Sequence, residues 1–434
     1  MNSLIDLSNV ETEEKGNIYG GIENKTLEEQ YSCIFNEFLQ VINIIKSKKN
    51  IIIDLVFDIY KKWATVSVES RRLYIIGAGT PGRLAALITF ELNANKYFSI
   101  DFDMAGGQAA FYKAAEGAED DISLAVSDSI ARNLNYNNII IGISASGRTP
   151  YVEEYLRLAK KAGALTLAIT NSASSVLEKI ADFTLLNQTG PEYPRGSTRM
   201  KAGTAQYVTL RIFGNLLQDI FRGNSNLEIQ FDKYISDIDT DFEETYKYKK
   251  EFLQQIVIFQ THFANPSNKH GRILYVGKEI KGLLGVVDGA ELWPTYSWKR
   301  VDYMVPDLSQ ITGQIITQPV ISEDDCLVVL GEKQKLQCPQ IVLNYYGLSV
   351  TNVMLKIFST LFTLQNGWIK EGEMIHLDPY NPNQKLVARR IQILKNLKIV
   401  KTDKEALRIL DTGNNNLKDI VDKYLFDQNL EFSS

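Results

Sequence analysis

Histidine and cysteine are scarce in this chain. Its 434 residues hold three histidines, His262, His270 and His376, and three cysteines, Cys33, Cys326 and Cys338. Three scattered cysteines make no disulfide framework, so a reducing cytoplasm is the expected setting. All the histidines lie in the second half. The first half can therefore build neither a His-ligated metal site nor a Ser-His-Asp triad, and no metal is expected. No apolar run reaches membrane-spanning length. The opening residues MNSLIDLSNVETEEKGN lack a basic-then-apolar signal pattern. With a net charge of −5 and no dense Lys/Arg block, neither nucleic acid nor an acidic membrane is expected as partner. What remains is a globular composition, 44% hydrophobic and 23% charged, with length for two or three domains.

Residues 26–70 read as helical, with apolar residues at three- and four-residue steps in YSCIFNEFLQVINIIKS. Apolar runs at 73–76, 100–104, 138–143, 165–170 and 183–186 predict strands, with helical stretches between them. That alternation predicts a parallel sheet covered on both faces. KAGTAQYVTLRIFGNLLQDIFR (201–222) closes the unit as a long apolar helix, and the polar stretch 223–268 reads as a partly helical connector. RILYVGKEIKGLLGVVDGAELWPT (272–295) then lies without a gap on RLYIIGAGTPGRLAALITFELNAN (72–95). Arg72, Gly77, Gly82, Leu84, Glu91 and Leu92 recur as Arg272, Gly277, Gly282, Leu284, Glu291 and Leu292, which predicts a diverged internal repeat. The second copy carries Glu279 and Ile280 in place of Gly79 and Thr80. An acidic turn repels phosphate, so the first copy is the expected binding site. Beyond about 380, NPNQKLVARRIQILKNL and TDKEALRILDTGNNNLKDIVDKYL are amphipathic and predict a helical cap, over the second domain or over a site. The expected divisions are a helical segment (1–70), a first α/β domain (71–225), a connector (226–268), a degenerate second α/β domain (269–378) and a helical cap (379–434).

LYIIGAGTPGR (73–83) runs strand, GxGxxG, helix. Such glycines let backbone approach an anion at a helix N-terminus, whichever phosphate it belongs to, and the motif alone is weak. A dinucleotide site would add an acidic residue after the next strand. Asp101 and Asp103 stand there, although ordinary strand-edge charge accounts for both. A second loop follows in IIIGISASGRTPYVEEYLRLAKKAG (139–163): Ser144, Ser146 and Thr149 offer hydroxyls, Gly147 permits a tight turn, and Pro150 suits a first helical turn. Hydroxyls at helix starts also serve as N-caps. A third stretch, GPEYPRGSTRMKAGT (190–204), places Ser197, Thr198, Arg199 and Lys201 just before a helix.

Together GAGTPGR, AGG (105–107), EGAEDD (116–121), GISASGRTPYV and GSTRMKAGTAQ (196–206) resemble the sugar isomerase (SIS) domain. Within it they resemble the group of N-acetylmuramic acid 6-phosphate etherases and the glucokinase regulatory protein. The resemblance implies an α/β fold of two tandem SIS-like, doubly wound, flavodoxin-like parallel-sheet domains. These would pack as an internal pseudo-dimer between a helical N-terminal segment and a helical C-terminal cap. It implies a sugar phosphate held by Gly79, Thr80, Ser144, Ser146, Gly147 and Thr149, with Ser197 and Lys201 as further contacts. It implies an etherase-type lyase that eliminates lactate from N-acetylmuramic acid 6-phosphate and adds water, leaving N-acetylglucosamine 6-phosphate. Glu119 would be the base and Glu91 the proton donor, with no cofactor; two carboxyl groups can divide those roles if their surroundings differ. The chain departs from the family in two places. Pro81 replaces the serine of a usual GTSG, removing a hydroxyl and a backbone N–H. LNANKYF after Glu91 lacks the usual CPPT, whereas the second copy keeps AELWPT (290–295), with Glu291 where Glu91 stands. SIS dimers place sites near the domain interface, which leaves a contribution from the second copy open.

Three rivals stand beside this reading. A non-catalytic sensor like the glucokinase regulatory protein would bind fructose phosphates and a hexokinase; the tandem and Pro81 favour it, and Glu91 counts against it. An aldose–ketose isomerase commonly uses a ring-opening histidine, and the first domain has none. A dinucleotide oxidoreductase rests on GxGxxG alone. Pairing of two such chains into a homodimer is left open.

Overall fold

The computed structural model describes residues 11–14, 21–268, 270–292, 296, 298–314, 317–344, 346–379, 384–411 and 416–431. Parts of four sequence motifs lie outside them: most of MNSLIDLSNVETEEKGN, Trp293 to Thr295 of AELWPT, and residues 381–383 and 412–415 of the two tail segments.

Thr26 starts the first helix through a capping box, its hydroxyl accepting from the Glu29 amide and the Glu29 carboxylate accepting from the Thr26 amide. Helices α1 (Leu27–Lys46) and α2 (Lys49–Trp63) bury the apolar stripe that their periodicity predicts, including Phe35, Phe38, Ile42, Val56, Ile59 and Trp63.

Strands β1 (Arg72–Gly77), β2 (Ser99–Met104), β3 (Asn138–Ser144), β4 (Leu165–Thr170) and β5 (Phe183–Leu186) form an all-parallel sheet in the order β2-β1-β3-β4-β5. Alternate residues feed two cores. Leu73 and Ile75 pack inward with α3 (Gly79–Leu92) and α7 (Lys201–Phe221). Tyr74 and Ile76 pack outward with Tyr151 and Tyr155 of α5 (Pro150–Lys161). Helices α4 (Ile122–Ala131) and α6 (Val176–Ile180) complete the crossovers. Both faces are covered at the central strands, which is why β1, β3 and β4 read as mostly apolar runs, whereas the edge strand β2, SIDFDM, alternates.

The polar stretch after α7 is one continuous helix, α8 (Leu227–Ala264), of 38 residues. It buries Phe231, Ile235, Ile238, Phe242, Phe252, Ile256 and Phe259 along a single stripe while its other faces stay charged.

The repeat extends beyond one strand–turn–helix unit. Strands β6 (Ile273–Gly277), β7 (Val301–Met304), β8 (Cys326–Leu330) and β9 (Gln340–Val342) form a second all-parallel sheet, ordered β7-β6-β8-β9. That is the order of the first four strands again. Helices α9 (Glu279–Gly289), α10 (Leu308–Thr312) and α11 (Leu348–Gln365) accompany it. Helix α3 packs on α9, and α11 packs on both α7 and α9, so the two units meet through equivalent helices.

The recurring glycines now have a packing reason. A Cβ on Gly77 would meet the Gly82 amide nitrogen at 2.6 Å, and one on Gly277 would meet Gly282 Cα at 2.8 Å. In each copy these two glycines let the strand end and the helix start touch. Position 79 is different: Gly79 has φ +57° with nothing near its Cβ position, and Glu279 takes the same left-handed conformation at φ +52°.

A short hairpin of β10 (Ile369–Lys370) and β11 (Glu373–Met374) leads to helices α12 (Gln384–Asn396), α13 (Asp403–Asp411) and α14 (Leu417–Glu431). Among the described residues no helix is long and apolar enough to cross a membrane.

Candidate functional site

In the first sheet the chain runs from β1 to β2 on one side and then crosses to β3 on the other. Such a switch point opens a crevice beyond the carboxyl ends of the two central strands. The loops after β1 and β3 meet there, around a pocket of about 180 Å³.

Gly79, Thr80, Pro81 and Arg83 line one wall. Helix α3 begins at Gly79, so Pro81 sits in its first turn, where amides have no intrahelical acceptor. Proline there costs the helix no hydrogen bond but removes one donor from the pocket.

Ser144, Ser146 and Thr149 line the facing wall. Thr149 is the N-cap residue of α5, yet its side chain makes no capping bond. Its hydroxyl lies 2.8 Å from that of Ser144, which accepts from the Gly147 amide at 3.1 Å and lies 3.4 Å from the Ser146 hydroxyl. The hydroxyls thus cluster at the pocket, beside the positive end of α5. Gly147 shapes the turn at φ +61°, where a Cβ would meet Ser175 Oγ at 2.4 Å.

Glu119 lines the pocket from the short turn Ala118–Asp120, which hangs from left-handed Gly117. The third stretch contributes Ser197, Thr198 and Arg199. Ser197 is 5% exposed, and its Oγ has no hydrogen-bond partner among the described residues. Met374, Leu386 and Arg389 enter from the C-terminal part of the chain. Arg389 donates to the Gly196 carbonyl at 2.8 Å and pairs with Glu13, so the two ends of the chain are tied together beside the site.

Three expected residues do not line the pocket: Gly147 only shapes the turn behind it, and two others lie elsewhere. Lys201 opens α7, but its ammonium turns to Glu37 of α1 at 2.6 Å and does not line the pocket. The α7 start is instead held by buried Glu192, which accepts from the Lys201 and Ala202 amides at 2.9 and 2.7 Å; burial pushes that carboxyl up to about 7. Glu91 is also outside the pocket. Arg211 of α7 donates from Nε to both oxygens of the Glu91 carboxylate at 2.7 and 3.0 Å and from Nη1 to Ser349 Oγ at 2.8 Å. A carboxylate does enter from the position that matches it in the repeat. Glu291 lines the pocket, accepts from Thr80 Oγ1 at 2.6 Å and pairs with Arg83, whose Nε donates to the Phe111 carbonyl at 2.9 Å.

Asp101 and Asp103 are engaged by Arg132, and Tyr155 donates to Asp103 at 2.7 Å. Among the described residues no group of three or more His, Cys, Asp or Glu could hold a metal ion. The pocket thus brings together the hydroxyls of the loop after β3, the starts of α3 and α5, and carboxyl groups from both repeats, Glu119 and Glu291.

Residues 56–160 match the family of glucokinase regulatory protein N-terminal SIS domains. An N-acetylmuramic acid 6-phosphate etherase of Exiguobacterium sp. is 32% identical over 249 residues, 53% of this chain and 82% of that protein. One of Clostridium botulinum is 40% identical over 173 residues, 36% of this chain and 57% of that protein, so in this match the chain spans little more than half of the relative. Among solved structures, the C-terminal domain of glucosamine-fructose-6-phosphate aminotransferase from Francisella tularensis aligns with 81% of this chain and 97% of its own, at TM-score 0.53 and 14% identity. A Clostridium difficile protein described as a phosphosugar isomerase aligns with 83% of this chain and 98% of its own, at TM-score 0.57 and 13% identity. These two share the fold, and each covers both sheets' worth of the chain. By its sequence relatives, the chain belongs to the N-acetylmuramic acid 6-phosphate etherase family.

Proposed function

We propose that the protein is a lyase that cleaves the lactyl ether of N-acetylmuramic acid 6-phosphate. The products are N-acetylglucosamine 6-phosphate and lactate. The observation that carries this reading is the convergence in one pocket of the Ser144, Ser146 and Thr149 hydroxyls with Glu119. The hydroxyls and the α5 start hold the phosphate, with Gly79 and Thr80 on the opposite wall and Ser197 as a further donor. Glu119 takes the proton from the carbon that bears the acetamido group. The reaction needs proton transfer and positioning, and carboxyl groups supply the former.

Lactate release from N-acetylmuramic acid 6-phosphate by the full chain is the direct test. Turnover is expected; binding of the phosphosugar without any lactate would overturn the reading. Ser144→Ala removes a hydroxyl from the phosphate end. A hydrogen bond to a charged group contributes about 1.5–3 kcal/mol, so affinity for N-acetylglucosamine 6-phosphate is expected to fall roughly 10- to 150-fold. Calorimetric titration measures it, and an unchanged affinity would remove Ser144 from the phosphate site.

The match of residues 56–160 to the glucokinase regulatory protein domain favours a second reading, a sensor that binds a sugar phosphate without turning it over and grips a hexokinase. Phosphosugar-dependent association with a hexokinase, in the absence of lactate release, would mark that outcome.

A further inference from the structure

Positions 91 and 291 coincide in the repeat, yet their surroundings differ. Glu91 is clamped by Arg211 away from the pocket. Glu291 follows α9 and crosses into the first repeat, where it meets Thr80 and Arg83 on the wall facing the Ser144 loop. The helices α3 and α9 pack on one another, and of the two glutamates Glu291 crosses to the opposite unit while Glu91 stays on Arg211 of its own.

We propose that Glu291, supplied by the second repeat, is the catalytic acid of the site in the first. The proposal rests on the etherase reading and assigns the degenerate copy a task in it. Glu119 takes the proton from the carbon beside the acetamido group. The electron pair left behind forms a carbon–carbon double bond, and the bond to the lactyl oxygen breaks. That oxygen departs with the proton of Glu291. Water then adds to the double bond, giving one proton to the Glu291 carboxylate, while Glu119 returns its proton to carbon. Both carboxyl groups end as they began, and one water is consumed.

Within the pocket Glu291 is held by donors that an anionic ligand also seeks. A bound phosphosugar competes for Thr80 and Arg83, which leaves the Glu291 carboxyl group to meet the substrate. The mirror-image position has no such use for Glu91. Glu279 occupies the turn where Gly79 serves in the first copy, and the loop at 331–335 reads GEKQK, without a hydroxyl. One chain thus carries one complete site and needs no second copy to finish it.

The test compares Glu291→Gln and Glu91→Gln in the full chain, with thermal melts to check folding. Glu291→Gln is expected to lower kcat for lactate release by about 100- to 10,000-fold, with KM near that of wild type. Glu91→Gln keeps the wild-type order of magnitude. A general acid has a second signature. On an analogue that carries a phenolate leaving group at the same carbon, departure needs no proton, and Glu291→Gln recovers most of the wild-type rate. Glu291→Asp, which keeps the acid but shortens it, shows the same preference for the analogue and serves if the Gln variant does not fold. Wild-type lactate release together with an active Glu291→Gln, or a loss that the phenolate analogue does not repair, would overturn the proposal alone. No lactate from wild type would overturn the etherase reading beneath it.

Discussion

Lactate release is expected to fall about 100- to 10,000-fold in Glu119→Gln, the range for loss of a general acid or base. The substitution keeps the size of the side chain and replaces a carboxylate by a neutral amide that cannot take a proton. An alternative role for Glu119, as the negative charge at the start of α4, is taken by another residue. Asp121 caps that helix, accepting from the Ser123 and Leu124 amides at 2.9 and 3.4 Å. A thermal melt shows whether the variant keeps the fold. The variant should bind N-acetylglucosamine 6-phosphate with little loss, because the phosphate-holding hydroxyls lie on the loop after β3. Steady-state rates, a melt and a titration decide it. A variant that turns over at the wild-type rate would take Glu119 out of the chemistry; one that loses binding as well as rate would make it a structural residue.

The central strands of the first sheet were legible because they are buried on both faces, and runs such as NIIIGIS at β3 have no polar alternation to confuse the period. The second sheet was legible only at β6, where the repeat repeats its glycines. Strands β7 and β9 are short, and VDYM and QIV carry too little apolar signal to stand out. Helix α8 hid its length behind charge, although its buried stripe keeps a helical period throughout. The hydroxyl loop after β3 could be read from local chemistry, since hydroxyls, a left-handed glycine and a helix-starting proline lie within seven residues of one another in SASGRTP. Which glutamates share the pocket could not be read that way. Glu91 and Glu291 are equivalent in the alignment of the repeats, and only the packing of α3 against α9 sends one into the first site and the other onto Arg211. Lys201 shows the same limit: the backbone at the start of α7 is near the pocket, but Glu37 on a helix more than 150 residues earlier draws the side chain away. Arg83 stood within a quoted motif without being singled out, and Arg389 had only the ARR of an amphipathic segment as a signal.

Asp288→Asn is expected to destabilise the protein by about 3–5 kcal/mol, the usual cost of leaving one partner of a buried ion pair uncompensated. Asp288 on α9 receives Arg199 at 2.8 Å, Tyr275 at 2.7 Å and Ser359 at 2.9 Å, and both members of the ion pair are 3% exposed. Burial pushes the Asp288 carboxyl above its ordinary value, and the Arg199 guanidinium pulls against that shift. The pair ties the second repeat to the segment that opens α7 in the first, so its loss loosens the contact between the two units. Glu291 lies about one helical turn beyond Asp288 along the same helix end. The variant is therefore expected to lose lactate release beyond what its unfolded fraction explains, although Asp288 itself does not line the pocket. Urea unfolding gives the first quantity, and turnover measured well below the unfolding midpoint gives the second. A variant as stable as wild type would show that Arg199 finds other compensation. One that is destabilised yet fully active would show that the helix end holds Glu291 in place without the Arg199–Asp288 pair.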